Sequence, residues 1–374
     1  MSNLKYWYID DEEGIPEKTT IRTLNHYGVE AEQFSLRNIQ DFGNLKNEII
    51  KLIGEDFGGL ILDLRLDGQG DYPTAFNATA LAQELRSVAS MGETRIYPIV
   101  LTSTEEKIKE TYNNDKSSHD LFDYKMHKSS KKWAKRSKKL VSLANDYKII
   151  NNISFDNTSS DSKLHELLGK ELSDIKDTRI VEKLVGLIDQ GDKHYFVNFI
   201  IKQFFHFTSP LVNRRILFAR LGLCIDNQSN DDIQVILDLF TNAKYVGVFS
   251  EGWDRWWEVD INTIIQDTFK KNFSFISAEQ RVSTLNEKLN LDLKFFKGLE
   301  FNSSTEYSTI CEATKKPIDH LEGFKIRTSH DYLPWQMHKY LSLYAYINRE
   351  RSNDIRPHLL EMDKIENVRK ELGI

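Results

Sequence analysis

The stretch GGLILDLRL (58–66) runs through Leu60, Ile61 and Leu62 without the apolar–polar alternation of a half-exposed strand. A strand with no polar face must be covered on both sides. That is the habit of parallel strands, whose crossovers lay helices over each face of the sheet. RIYPIVLTS (95–103) has the same character, and shorter β-prone runs stand at KYWYID (5–10) and VEAEQFSL (29–36). LFDY (121–124) begins a fifth. Between them lie helix-like segments: PEKTTIRTLNHYG, IQDFGNLKNEIIKLIGEDF, AFNATALAQELRSVAS and WAKRSKKLVSLANDY (133–147). Pro16 suits a first helical turn and Gly28 a C-terminal stop. Five strands separated by helices predict a doubly wound α/β domain with a five-stranded parallel sheet over residues 1–150.

The composition then shifts. NNISFDNTSSDSK (151–163) is polar and reads as a linker. Helical patterns follow over 164–244, and from 245 to 374 the chain is rich in aromatics and reads as a mainly helical output region. At 374 residues, two ordinary domains are expected. Hydrophobic residues at 40% and charged residues at 28% match a soluble protein with a real core. The net charge of −6 gives no general pull toward nucleic acid or acidic membrane. Two cysteines, Cys224 and Cys311, make a disulfide framework improbable and point to a reducing cytoplasm. MSNLKYWYID lacks a signal-peptide pattern. No stretch reaches the roughly 18 apolar residues of a membrane span.

Ligands of an open parallel sheet collect beyond the carboxyl ends of its strands. The first strand ends in Asp10, Asp11 and Glu12, the third in Asp63, and the fourth in Thr102 and Ser103; His127 and Lys128 follow the fifth. Clustered carboxylates raise one another's pKa unless a cation offsets them. Mg²⁺, a hard ion that prefers carboxylate oxygens, is the natural partner. Asp63 could then attack a phosphoryl donor, with Thr102 bonding a phosphoryl oxygen and Lys128 neutralising another.

In order and residue type, YIDDEE (8–13), LILDLRLDG (60–68), IVLTS (99–103) and DYKMHKS (123–129) resemble the receiver domain of bacterial response regulators. The resemblance covers residues 4–148 and implies a CheY-like fold. It implies Mg²⁺ on Asp10, Asp11, Asp63 and the Arg65 carbonyl, with Asp63 as phosphoacceptor, Thr102 as switch hydroxyl and Lys128 as the phosphate-contacting lysine. A histidine kinase is the implied partner. Asp67 stands where the family usually has proline, and the stretch between the third and fourth strands is longer than usual. Counting from Tyr124 puts His127 at the family's lysine position, whereas the KS pair favours Lys128.

The basic run KMHKSSKKWAKRSKK (125–139) offers Lys131, Lys132, Lys135, Arg136, Lys138 and Lys139 beside Trp133. It reads as the solvated face of the last receiver helix, or else as the one place where nucleic acid would bind, steeply dependent on salt. Cys311, His320, His330 and His338 match no zinc-clip spacing. Trp253, Trp256 and Trp257 read as core or interface anchors. Glu251, Asp254, Glu258 and Asp260 lie close in sequence and would suit a nuclease metal, although acids on an exposed surface are far commoner. Three readings follow. One is a phosphorylated signalling protein that works through a helical protein-interaction region, with a homodimer as one arrangement open to it. The second is a phosphorylation-independent pseudo-receiver adaptor or phosphate sink, as occurs in bacterial defence operons. The third is a receiver-regulated, nuclease-like effector.

Overall fold

The computed structural model describes residues 4–373 except 38, 40, 69, 105–119, 129–131, 271–275, 329–330 and 351–354. By its internal contacts the chain divides into two compact units. The first comprises Met1–Asp174, Val181–Lys202 and Val246–Trp253; the second comprises Ile175–Ile180, Gln203–Tyr245 and Asp254–Ile374.

The first unit is built on β1 (Lys5–Ile9), α1 (Ile15–His26), β2 (Glu30–Phe34), α2 (Phe42–Lys51), β3 (Phe57–Asp63), α3 (Ala78–Ser90), β4 (Ile99–Ser103), β5 (Tyr124–His127) and α4 (Trp133–Asn152). The sheet order is β2-β1-β3-β4-β5, every pairing parallel. This is the doubly wound CheY-like arrangement that the alternation of elements predicts. All seven residues of the central β3 are buried, whereas the edge strand β2 alternates. Burial on both faces explains why β3 reads as continuous apolar sequence and β2 does not.

Local chemistry sets the helix starts. Asp41 caps α2 by accepting from the Gly43 amide at 2.9 Å, and Asn77 caps α3 by accepting from the Ala80 amide at 2.9 Å. Pro16 sits in the first turn of α1, where its missing N–H costs nothing. On one sheet face, Leu60 and Leu62 of β3 and Ile99 and Leu101 of β4 pack with Leu45 and Ile49 of α2 and Leu81 and Leu85 of α3. On the other, the buried Tyr6 donates its hydroxyl to the Leu140 carbonyl of α4 at 2.7 Å.

At the amino end of β5 the buried Arg86 donates to Asp123 at 2.8 Å and to the Tyr97 carbonyl at 2.6 Å. Asp123 also accepts from the Tyr147 hydroxyl at 2.5 Å and the Ile99 amide at 2.8 Å. Burial alone would raise the Asp123 pKa, but Arg86 and these donors hold it below the ordinary carboxylate value.

α4 runs to Asn152, beyond the expected end at 147, because Ile150 is fully buried and Asn151 bonds the Ile96 backbone. α5 (Ser160–Leu168) begins within the segment read as a linker.

The second unit is largely helical, with short antiparallel ladders such as Leu211–Asn213 against Arg255–Trp257. Trp256 packs with Val212, Phe218, Ile261 and Ile265 in its core. Among the described residues no helix is long and apolar enough to cross a membrane.

Candidate functional site

The carboxyl ends of β1 and β3 bring Asp10, Asp11 and Asp63 together. One carboxylate oxygen of each lies within 4.8 Å of the other two. All three residues are at most 4% exposed. Among the described residues, no other set of three or more His, Cys, Asp or Glu side chains comes together in this way.

Lys128, just past β5, completes the cluster. Its Nζ lies 2.7 Å from Asp10 Oδ2 and 2.9 Å from Asp63 Oδ1. His127 is the last residue of β5 and pairs in register with Ser103, so the chain delivers Lys128 rather than His127 to the two acids. The structure also adds a residue that the sequence reading missed. Glu17, in the first turn of α1, is 2% exposed, and its Oε1 lies 3.8 Å from Lys128 Nζ. In sequence it is one more acid at a helix start, where solvated carboxylates are common. Only its burial sets it apart.

Each acid is held by specific donors. Asp10 Oδ2 accepts from the Tyr8 hydroxyl at 3.2 Å, and its Oδ1 accepts from the Glu12 amide at 3.2 Å. Glu12 itself is exposed and contributes backbone, not side chain. Asp11 Oδ2 accepts from the Gly70 amide at 3.0 Å, and Asp63 Oδ2 from the Arg65 amide at 2.9 Å. Thr102 lies directly across from Asp63 in the β3–β4 register. Its hydroxyl is fully buried and meets no hydrogen-bond partner among the described residues.

Burial first, and then the neighbouring Asp63, push the Asp10 carboxyl up to about 7, against the opposing pull of Lys128. Burial works to lower the Lys128 pKa, but Asp63 and Asp10 outweigh it and hold the ammonium above the ordinary lysine value. One lysine therefore leaves the cluster short of positive charge. Hard carboxylate oxygens so placed suit a hard divalent cation. The backbone leaves room for one as well: a Cβ at Gly68 would lie 2.7 Å from Asp11 Oδ2 and 3.2 Å from the Arg65 carbonyl oxygen. Asp11 and the Arg65 carbonyl, two of the donors expected from sequence, therefore border the space that Gly68 leaves open.

The other candidates lie elsewhere. Arg136 is buried and donates to the His127 carbonyl, while Lys139 covers the rings of Tyr124 and Trp253. Lys132, just before α4, and Lys135 and Lys138 on it are exposed, and Lys131 lies outside the described residues. In the second unit Cys311 accepts from the Ser342 hydroxyl at 3.3 Å, and His320 pairs with Ser308 at 2.8 Å. The His338 ring meets that of Tyr332 at a tilt of 53°, and His330 lies outside the described residues. Asp254 pairs with Arg214 at 2.9 Å and Glu258 with Arg220 at 2.7 Å, so both acids have basic partners. Glu251 is exposed, and Asp260 lies in the first turn of the helix Glu258–Phe269. Trp256 and Trp257 are buried.

No family model matches the chain, and no curated protein matches it. Among solved structures, an adenylate cyclase from Rhodopirellula baltica aligns with 40% of this chain and 93% of its own, at 11% identity and a TM-score of 0.27. The response regulator StyR aligns with 76% of this chain and 99% of its own, at 14% identity and a TM-score of 0.25. At such scores these likenesses carry no argument about fold or function.

Proposed function

We propose that this protein is a receiver-type signalling protein whose Asp63 accepts a phosphoryl group from the phosphohistidine of a histidine kinase. The observation that carries the reading is Lys128 Nζ placed within 2.9 Å of both Asp10 and Asp63 at the carboxyl edge of a 2-1-3-4-5 sheet. An Asp63 oxygen attacks phosphorus as the P–N bond breaks; the bonding pair returns to the imidazole nitrogen and an acyl phosphate remains on Asp63. Mg²⁺ held by Asp10, Asp11, Asp63 and the Arg65 carbonyl would neutralise charge on the phosphoryl oxygens. Lys128 supplies a fixed positive charge beside the acceptor. The Thr102 hydroxyl, buried opposite Asp63, is available to donate to a phosphoryl oxygen. The signal then passes to a protein partner through the helical region.

The same Lys128 contact favours one second reading. A lysine that already bridges Asp10 and Asp63 would let the pocket persist as a closed structural element of a pseudo-receiver adaptor. Acetyl phosphate labelling read by intact mass separates the two. A phosphoryl mass gain that needs Mg²⁺ and disappears in Asp63→Asn supports the phosphoacceptor. Absence of any gain in the wild type favours the adaptor.

A further inference from the structure

Val246–Trp253 belongs by its contacts to the first unit, although its chain neighbours on both sides belong to the second. It has no helix or strand of its own, yet Val248, Phe249 and Trp253 are buried. Its seat is the surface formed by β5, α4 and the end of α5. The Val248 amide donates to the Leu167 carbonyl at 2.8 Å, and the Phe249 amide to Asp146 Oδ2 at 2.9 Å. The Trp253 ring meets the Tyr124 ring edge-on at 6.3 Å, with Lys139 Nζ 4.5 Å from the Trp253 centroid and 4.8 Å from that of Tyr124.

The fit requires glycine at one position and leaves little room at a second. A Cβ at Gly247 would fall 2.4 Å from the Leu167 carbonyl oxygen, and one at Gly252 would fall 3.1 Å from Lys139 Cα. Phe249 has φ 65°, a left-handed backbone that a bulky side chain rarely adopts. The segment is therefore tightly seated while holding a disfavoured backbone, as expected of an element with two states.

The seat is also wired to the acidic pocket. Arg136 donates to the carbonyl of His127, the residue before Lys128, and hydrogen-bonds the Tyr124 hydroxyl. Tyr124 lies against Trp253. A short chain of contacts thus runs from Asp63 through Lys128, the His127 peptide, Arg136 and Tyr124 to the segment.

We propose that Val246–Trp253 is a releasable strap whose seating on β5 and α4 is set by the charge state of the Asp10–Asp63–Lys128 pocket, with Arg136 and Tyr124 as positioning residues. This rests on the phosphoacceptor reading. A phosphoryl group on Asp63 replaces the contact that pins Lys128, the His127 peptide shifts, and Arg136 loosens Tyr124 from Trp253. Because the strap continues directly into Tyr245 and Asp254, its release passes the state of the pocket to the second unit.

Amide hydrogen exchange of the full chain tests this, followed on peptides spanning 246–253. Mg²⁺ with beryllofluoride serves as the phosphoryl mimic, its binding checked by fluorine NMR. Loading is expected to speed exchange of this segment at least about fivefold, and less than about twofold in Tyr124→Phe, which keeps the ring and removes the hydroxyl. Lys128→Met is expected to speed it without loading. Beryllofluoride bound with exchange unchanged overturns the strap and leaves the phosphoacceptor reading standing. Failure to bind beryllofluoride, together with absence of phosphoryl labelling, overturns the phosphoacceptor reading instead. In that case Lys128→Met decides the strap: unchanged exchange sinks it, and faster exchange supports coupling to the pocket's own charges.

Discussion

Lys128 Nζ stands 2.9 Å from Oδ1 of Asp63, and its side chain is 23% exposed. That contact joins two strand ends far apart in the sequence, and it makes one ammonium the counter-charge of a buried acidic cluster. Breaking a buried pair by removing one partner leaves the other charge uncompensated. Lys128→Met should therefore destabilise the protein by about 2 kcal/mol, discounted for the partial exposure of the lysine. Millimolar Mg²⁺ should recover most of the loss. Urea unfolding with and without Mg²⁺ measures both effects, and a deficit indifferent to the cation would contradict a metal role for the acids.

Glu17 brings a third carboxylate to the same ammonium, 3.8 Å away. Neutralising it in Glu17→Gln removes negative charge from the region while keeping the side-chain shape. Mg²⁺ affinity should fall about fivefold, corresponding to roughly 1 kcal/mol of electrostatic attraction at an intermediate dielectric. Isothermal titration of wild type and variant at equal ionic strength reads this directly. Equal affinities would place Glu17 outside the cation's field.

Arg86 and Asp123 form a separate buried pair at the opposite end of the sheet, 2.8 Å apart. Arg86→Met should cost about 3–4 kcal/mol, because Asp123 stays buried with only the Tyr147 hydroxyl and the Ile99 amide as donors. Chemical denaturation gives the number. A loss below about 1 kcal/mol would mean that water reaches Asp123 once the arginine is gone.

Asp146 predicts a pH dependence. Burial first, with a small push from Glu251, raises its carboxyl from the ordinary 3.8 to about 6, although Ser142 and the Phe249 amide pull the other way. The folded state therefore holds this proton more tightly than the unfolded chain between about pH 4 and pH 6. This group's contribution to stability grows as pH falls through that window and is gone above it. Both hydrogen bonds to Asp146 end on Oδ2, which an amide oxygen can replace. Asp146→Asn should therefore gain about 2 kcal/mol relative to wild type on going from pH 4 to pH 7. Unfolding curves at both pH values give this difference, and a constant gap between the two proteins would refute it.

The sheet was legible because its signals are local. β3 and β4 lack a polar face, and a strand buried on both sides can be recognised without knowing what covers it. Asp10, Asp11, Asp63 and Thr102 could be gathered at one edge because a parallel sheet sends all its strand ends the same way. The burial of Glu17, the approach of Lys128 rather than His127 to the acids, and the seat of Val246–Trp253 came only from tertiary contacts. Glu17 looks like any acid in a first helical turn until α1 buries it. Lys128 rather than His127 reaches the acids because β5 ends in register with Ser103, a pairing between strands that neither strand encodes alone. Trp253 and Trp257 stand four residues apart in one aromatic run, yet one packs on Tyr124 of the first unit and the other lies in the second. Composition shows that such rings will be buried. Which surface buries them depends on contacts between segments more than a hundred residues apart.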